Sequence, residues 1–189
     1  TATINTERNI KVWTSNPNNI KDTVPDNDTI NVDRGPSLAG TFTIGAKGDY
    51  TTFGDAIDDL NQFGVCGAVE FKVDSGTYTG GFTIEEIKGA NATNTITFSG
   101  ISPSATIITY SGTSTANMNT IELDGADWIT FKDFKIETRG SYYGIAIMVT
   151  GGADHNTFSD NEILANVSAT SVYTNAIIFS SNPALYYGY

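Results

Sequence analysis

The sequence predicts an all-β protein: a parallel β-helix whose short strands stack in successive coils, with a short helix before the first coil. The main observation is a five-residue phrase, apolar–any–apolar followed by small polar or glycine residues, which recurs at intervals of 25, 25, 26 and 30 residues. Such a phrase is typical of a short strand with one buried face and a turn after it. Repeats of this length indicate a solenoid, in which each unit buries its apolar face by stacking on its neighbours. The five occurrences span residues 71–75, 96–100, 121–125, 147–151 and 177–181.

Residues 1–36 differ from the rest of the chain and are predicted to form a short β hairpin or linker. Residues 9–13 alternate like a strand, residues 16–19 read as a turn, and residues 22–30 lead into a second extended run. The spacing of Trp13, Asp22 and residues 27–29 resembles the closing strands of immunoglobulin-like modules in large bacterial surface proteins. We therefore predict a linker or the tail of such a module over 1–36 and a β-helix over 37–189.

An amphipathic helix is predicted directly before the coils. Thr52 has the form of an N-cap, with Asp55 three residues later, and an apolar stripe follows at helical spacing up to Leu60. The helix is expected to end near Gly64. It would cover the open edge and the core of the first coil.

Each coil is expected to contain three strands. A second strand is predicted at residues 82–84, 106–108 and 129–131, and Ile136 and Ile163 mark a third. Residues 126–133 and 153–160 repeat one another with an offset of 27. Three short strands in about 25 residues is the pattern of a parallel β-helix, and four or five coils fit this length. The last residues show no capping element, so we expect the β-helix to be part of a longer polypeptide with further domains.

Composition excludes several classes of function. The chain has 10 Lys+Arg against 21 Asp+Glu and a net charge of −11, which disfavours nucleic acid and anionic membranes as partners. No apolar run is long enough for membrane insertion. The single cysteine, Cys66, lies in an apolar stretch and is predicted to be a buried thiol. Abundant Thr, Ser, Asn and Gly suit an extracellular β-protein.

Residues 48–53, Ala56 with Ile57, and residues 76–78 together resemble the start of the pectin methylesterase-like and pectate lyase-like β-helix superfamily. The resemblance implies a right-handed, single-stranded parallel β-helix with an N-terminal capping helix. It also implies a possible polysaccharide substrate.

The catalytic positions of the esterases are not matched. Gly80 stands where the family has a glutamate, and Gly144 stands where it has a glutamine that leads an apolar strand. Residues 175–179 lack the family's aspartate, and residues 166–174 contain no counterpart of its Gln-Asp pair. The resemblance therefore gives no catalytic residue in this stretch.

Aromatic side chains late in the chain are the candidates for ligand binding. Flat rings along a solenoid face could stack on sugars, or they could fill and stack between coils. The candidates are Trp128, Tyr142, Tyr143 and Tyr173. The lone histidine, His155, aligns with Trp128 in the internal repeat and is predicted to be a turn or surface residue.

Repeat-equivalent carboxylates are the candidate metal ligands. Asp127 is equivalent to Asp154, and Asp133 to Asp160. On adjacent coils each pair would lie within ~5 Å and repel unless something intervenes. Hydrogen bonds from turn N–H groups could stabilise the charges, or a Ca²⁺ ion could bridge the coils. A third alternative is a lyase site in which a nearby lysine acts as the base. A set of asparagines is expected to form a structural turn ladder: Asn156, Asn161, Asn166 and Asn175.

These observations predict a non-catalytic module of a secreted or cell-surface bacterial protein, acting in adhesion, in glycan binding or as a stalk. The resemblance to large bacterial surface proteins further suggests an origin in gliding bacteria that export proteins through a type IX secretion system. The partner would be a polysaccharide or cell-surface glycan. The alternative is a polysaccharide-active enzyme, a Ca²⁺-dependent lyase or an esterase, whose site is completed outside this chain.

Overall fold

A computed structural model describes residues 8–13, 29–169, 171 and 173–180, in two compact units. The smaller unit contains β1 (Arg8–Trp13) and β2 (Thr29–Arg34), which pair antiparallel. The predicted strand at 9–13 is therefore confirmed. Of the predicted second extended run, β2 contains Thr29 and Ile30, and residues 22–28 lie outside the described part of the chain.

The larger unit is a solenoid of three parallel sheets. Sheet 1 has the order β13-β10-β7-β4-β3, sheet 2 β14-β11-β8-β5 and sheet 3 β15-β12-β9-β6. The sheet 1 strands are β3 (Leu38–Ile44), β4 (Val65–Val73), β7 (Ile96–Ser99), β10 (Ile129–Lys132) and β13 (Thr157–Ser159). Those of sheet 2 are β5 (Gly76–Thr79), β8 (Thr106–Tyr110), β11 (Lys135–Thr138) and β14 (Glu162–Leu164). Those of sheet 3 are β6 (Phe82–Glu85), β9 (Asn119–Asp124), β12 (Gly144–Thr150) and β15 (Thr174–Phe179).

The strand register confirms part of the predicted repeat and corrects the rest. Ile136 pairs with Ile163, as the offset of 27 predicts. The recurring phrase, however, does not form one stack: its first two occurrences lie in sheet 1, and the other three lie in sheet 3. The three predicted second strands likewise fall in three different sheets. Strands of different sheets share this apolar alternation, as β7 of sheet 1 and β9 of sheet 3 do, so the phrase alone does not distinguish one sheet from another.

A ladder of phenylalanine rings fills the core along sheet 1. Phe71 and Phe98 stack with ring centroids 4.8 Å apart, and Phe98 and Phe131 stack at 4.7 Å. Phe42 and Phe158 continue the ladder at its two ends, at 5.6 and 5.9 Å from their neighbours. In-register parallel strands place equivalent side chains one above another, and offset stacking of the rings adds to the burial of apolar surface.

Helix α1 (Phe53–Phe63) lies at the N-terminal end of the solenoid, as predicted. Thr52 is its N-cap and forms a reciprocal capping box with Asp55. The buried stripe is Phe53, Ala56, Ile57 and Leu60. Burial of this stripe and both capping bonds explain why the helix forms from so short a sequence.

Cys66 contradicts its prediction, because it is exposed. Strand β4 buries Val65 and Val69 near its start, and Cys66 points to the other side. An apolar neighbourhood in sequence did not identify the buried face of a strand in which adjacent residues alternate.

Candidate functional site

Sheet 3 differs from the others in having an apolar cluster on its outer face. All seven residues of β12 are buried, whereas a strand with one solvated face would alternate. Met118, Ile145 and Met148 form a hydrophobic cluster separate from the core of the solenoid. Three tyrosine and isoleucine side chains pack against this outer cluster and partly cover it: Tyr143, Tyr173 and Ile178.

Three of the predicted ligand-binding residues meet at this place. The rings of Tyr142 and Tyr143 lie 4.8 Å apart at 75°, and the ring of Tyr173 lies 5.9 Å from the first and 5.6 Å from the second. Tyr142 is 55% exposed, and the other two are half-buried. We call these residues the tyrosine cluster.

Backbone and side-chain hydrogen bonds between two consecutive coils position the cluster. Gly144 N donates to Tyr173 O at 2.9 Å, and Thr174 Oγ1 donates to Tyr142 O at 3.3 Å. Asn166 Nδ2 donates to Gly140 O at 3.1 Å and ties the turn before β12 to the next coil. The three rings therefore project from two turns that are hydrogen-bonded to each other, and this restricts their movement.

The fourth predicted residue, Trp128, lies elsewhere. It precedes β10, in the turn beyond the C-terminal end of β9, whereas the tyrosine cluster lies at the N-terminal end of β12. The strands of sheet 3 therefore separate the two by roughly 20 Å, because a strand rises about 3.3 Å per residue. The structure does not unite the four aromatic residues in one site.

Trp128 stacks on His155, with ring centroids 4.0 Å apart at 19°. Both residues have a positive φ, 62° and 54°, which is uncommon for a bulky side chain. His155 is exposed in a turn, as predicted, and its Nδ1 contacts Asp154 Oδ1. This conformation turns both rings to the same side of successive coils.

One predicted carboxylate pair, Asp127 and Asp154, lies in these turns, and the other, Asp133 and Asp160, lies in the turns after β10 and β13. Asp154 N donates to Asp127 Oδ1 at 2.7 Å, so a turn N–H group binds one of these carboxylates, which is the first of the three alternatives. Asp133 and Asp160 both have a positive φ, 65° and 55°. Among the described residues, no group of three or more His, Cys, Asp or Glu side chains is arranged to hold a metal ion. The Ca²⁺ site at these four aspartates stays a prediction.

Three of the four predicted asparagines, Asn156, Asn161 and Asn166, hold turns by bonding to the preceding coil. Asn156 Oδ1 accepts from Ile129 N at 2.9 Å, and its Nδ2 donates to Ala126 O at 2.7 Å. Asn166 makes the bond described above. Asn175 lies in β15.

Sequence reasoning missed carboxylates on the outer face of sheet 3. Glu122 lies between Thr83 and Met148 in register, and it accepts a hydrogen bond of 3.2 Å from Thr83 Oγ1. Two residues further along β6 and β9, on the same face, Glu85 pairs with Asp124, and both side chains are exposed. Residues 121–124 alternate between apolar and acidic side chains. This pattern would have predicted the outward carboxylates if the sheet to which the strand belongs had been known.

Comparisons with known proteins identify the fold. No protein-family model and no curated protein sequence matches the chain. The solved structure of the pectin methylesterase from carrot is similar, with a TM-score of 0.56 and 22% identity over 76% of this chain and 46% of that one. The enzyme from Aspergillus niger gives 0.53 and 21% over 77% and 50%, and that from Erwinia chrysanthemi 0.55 and 16% over 77% and 46%.

The chain has the right-handed parallel β-helix fold. This confirms the predicted fold class, with about five turns and one short helix. The chain spans about half the length of the pectin methylesterases that it matches. Within the described residues, no helix has the length and apolarity needed to cross a membrane.

Proposed function

We propose that this β-helix binds carbohydrate at the tyrosine cluster. The observation that carries the proposal is the convergence of three rings from two coils, with Tyr142 more than half exposed. Tyrosine offers an apolar ring for stacking and a hydroxyl for hydrogen bonding, and side chains tied to a rigid scaffold lose little entropy on binding. Sugars present both an apolar face and hydroxyl groups.

The fold supports the same ligand class. Two solved structures with a similar fold are pectin methylesterases in complex with hexasaccharides, at TM-scores of 0.53 and 0.54. Their identity to this chain is 18% and 17%, so they support a solenoid surface able to carry a polysaccharide rather than a shared site.

The setting that we propose is the outside of a bacterial cell, where the module serves adhesion or acts as a stalk within a longer polypeptide. The net charge of −11 and the richness in Thr, Ser, Asn and Gly favour this setting. Export through a type IX system in gliding bacteria belongs to the same proposal.

A second candidate is an enzyme acting on a polysaccharide. Glu122, Asp124 and Glu85 on the outer face of sheet 3 favour it, because paired carboxylates can act as acid and base. A lyase would also need a base near the carboxylates and a cation to neutralise the substrate. Residues beyond this stretch would have to complete such a site.

Isothermal titration with neutral and acidic polysaccharides tests the binding proposal. We expect Tyr142→Ala to lower the affinity for the bound glycan about tenfold and Tyr142→Phe to retain most of it. The control Ile101→Ala removes an equally exposed apolar side chain (62%) outside the cluster and should change nothing. The site is contradicted if no polysaccharide of the panel binds Tyr142→Ala more weakly than wild type.

Product assays in the same samples test the enzyme candidate. Release of methanol or of unsaturated sugar, lost in Glu122→Gln, would establish catalysis and contradict a purely binding module. Thermal melts with EDTA and with millimolar Ca²⁺ test the calcium prediction: a Ca²⁺-dependent rise in Tm that Asp154→Asn abolishes would support it.

A further inference from the structure

A second concave site lies at the N-terminal end of the solenoid, beside the start of α1. The pocket measures ≈ 530 Å³, and none of the described residues that line it carries a charge. That is notable in a chain with 31 charged residues among 189, namely 10 basic and 21 acidic. The volume lies within the range of small-molecule sites.

The pocket exists because one sheet begins without a cover. Sheet 1 begins with β3, which pairs along β4. Sheet 3 begins with β6, whose edge is covered by Asn61 of α1: its Nδ2 donates to Thr83 O, and its Oδ1 accepts from Glu85 N, both at 3.1 Å. Sheet 2 begins with β5, and β8 is its only partner strand within the described sheet.

The free edge of β5 offers backbone hydrogen-bonding groups. Gly76 N donates to Ala105 O, just before β8, at 2.8 Å, and Gly80 N donates to Thr109 O of β8 at 3.0 Å. In a parallel ladder alternate residues bond to opposite sides, so the N–H and C=O groups of Thr77 and Thr79 face the uncovered edge. Both residues line the pocket, and no bond to another described residue is formed by these groups.

Aromatic rings form the floor of the pocket. Phe53 packs edge-on against Tyr78 at 5.3 Å and stacks on Phe82 at 5.3 Å. The Tyr78 hydroxyl donates to the carbonyl oxygens of Ile44 and Asp74, at 3.2 and 3.0 Å, which fixes its ring. Tyr78 and Phe82 are only half-buried, so the floor retains apolar surface for a ligand.

We propose that this pocket binds one uncharged sugar unit. A charged ligand would lose hydration here without meeting an opposite charge. A purely apolar ligand would cover the backbone groups of Thr77 and Thr79 and leave them without hydrogen-bond partners, which is unfavourable. A neutral sugar satisfies both surfaces, because one face is apolar and its rim carries hydroxyl groups. The site is separate from the tyrosine cluster and does not depend on it.

Titration of the whole chain with matched neutral sugars and uronic acids, glucose against glucuronate and galactose against galacturonate, tests the proposal. We expect a neutral sugar to bind and its uronic acid to bind at least about tenfold more weakly. Thr79→Phe and, independently, Thr77→Phe should fill the pocket and lower the affinity by a similar factor. Thr157→Phe is the matched control. Thr157 is also an exposed threonine, but it lies in β13, the edge strand of sheet 1 farthest from the pocket.

Tyr142→Ala separates this site from the tyrosine cluster. Binding that survives Tyr142→Ala and is lost in both pocket variants supports the pocket. Binding lost only in Tyr142→Ala overturns the pocket and leaves the tyrosine cluster standing. The pocket is also overturned when no neutral sugar binds, when uronic acids bind as well, or when folded pocket variants bind like wild type. An uncharged extended peptide that binds in place of sugars would overturn it too.

Discussion

Asn161 binds the backbone of Phe134 in the preceding coil, its Oδ1 accepting a hydrogen bond from Phe134 N at 2.8 Å. The same amide donates through Nδ2 to Phe131 O, also at 2.8 Å. Asp133, just before Phe134, has a positive φ, so the backbone turns away from the sheet ladder here. The amide from the next coil replaces the backbone partners that the turn cannot provide. Asn161 therefore stabilises a turn of the coil before its own.

We expect Asn161→Ala to destabilise the fold by about 1–3 kcal/mol, because it leaves Phe134 N and Phe131 O unpaired beside a buried ring. Urea unfolding followed by circular dichroism measures the loss. Asn91→Ala is the control: Asn91 is exposed, and its side chain bonds within its own turn, to Gly89 O, Thr93 N and Asn94 N. Equal losses in the two variants would argue against the bond between coils.

Phe98 is the centre of the phenylalanine ladder, and Phe98→Ala should cost about 3–5 kcal/mol. The residue is fully buried, stacks on a ring at each side and also contacts Phe53, so its removal leaves a cavity and ends three ring contacts. Phe179→Ala, which truncates a ring that is 77% exposed, should change stability by less than about 0.5 kcal/mol. Chemical unfolding of both variants compares them, and a small loss in Phe98→Ala would mean that the ladder repacks.

Tyr50 should make the protein sensitive to alkaline pH. Burial raises the pKa of Tyr50, and its hydrogen bond of 2.9 Å to Asp59 raises it further. The neutral hydroxyl is thus favoured in the folded state, and the unfolded chain releases this proton first. Its contribution to stability is full below the unfolded pKa of about 10 and decreases as pH rises through the folded value.

Thermal melts between pH 7 and 11.5 test this dependence. Wild type should lose stability above about pH 10, and Tyr50→Phe should lose less over the same interval. Tyr78, whose pKa burial also raises, contributes in the same direction and leaves a residual slope. Parallel profiles for wild type and Tyr50→Phe would show that Tyr50 is not responsible.

The predictable parts of this structure are those with a local cause. The capping box of Thr52 and Asp55 fixes the start of α1 within four residues of sequence. The offset of 27 gave the pairing of Ile136 with Ile163, because it rests on a repeat longer than one strand. Both depend on patterns that only one arrangement satisfies.

The register of the first coils could not be obtained in the same way. Ile96 and Ile121 are 25 residues apart but lie in different sheets, because residues 111–118 lengthen the turn between β8 and β9. Convergence of Tyr142 with Tyr173 depends on that register, as does the row of Glu122. The pocket beside Tyr78 exists because, within the described residues, β5 has no second partner strand in sheet 2, and no local sequence pattern predicts this.

Trp128 and His155 give a spectroscopic test of the stacking between coils. Their rings face each other at 4.0 Å, and the imidazole covers one face of the indole. We expect His155→Ala to shift the Trp128 emission to longer wavelength, to increase its quenching by iodide, and to cost about 0.5–1.5 kcal/mol of stability. Trp13 is the other tryptophan of the chain, so the measurement is made in a Trp13→Phe background. His155→Phe, which keeps a flat ring at the position, should retain the wild-type spectrum. Unchanged quenching in His155→Ala would show that the two rings do not stack in solution.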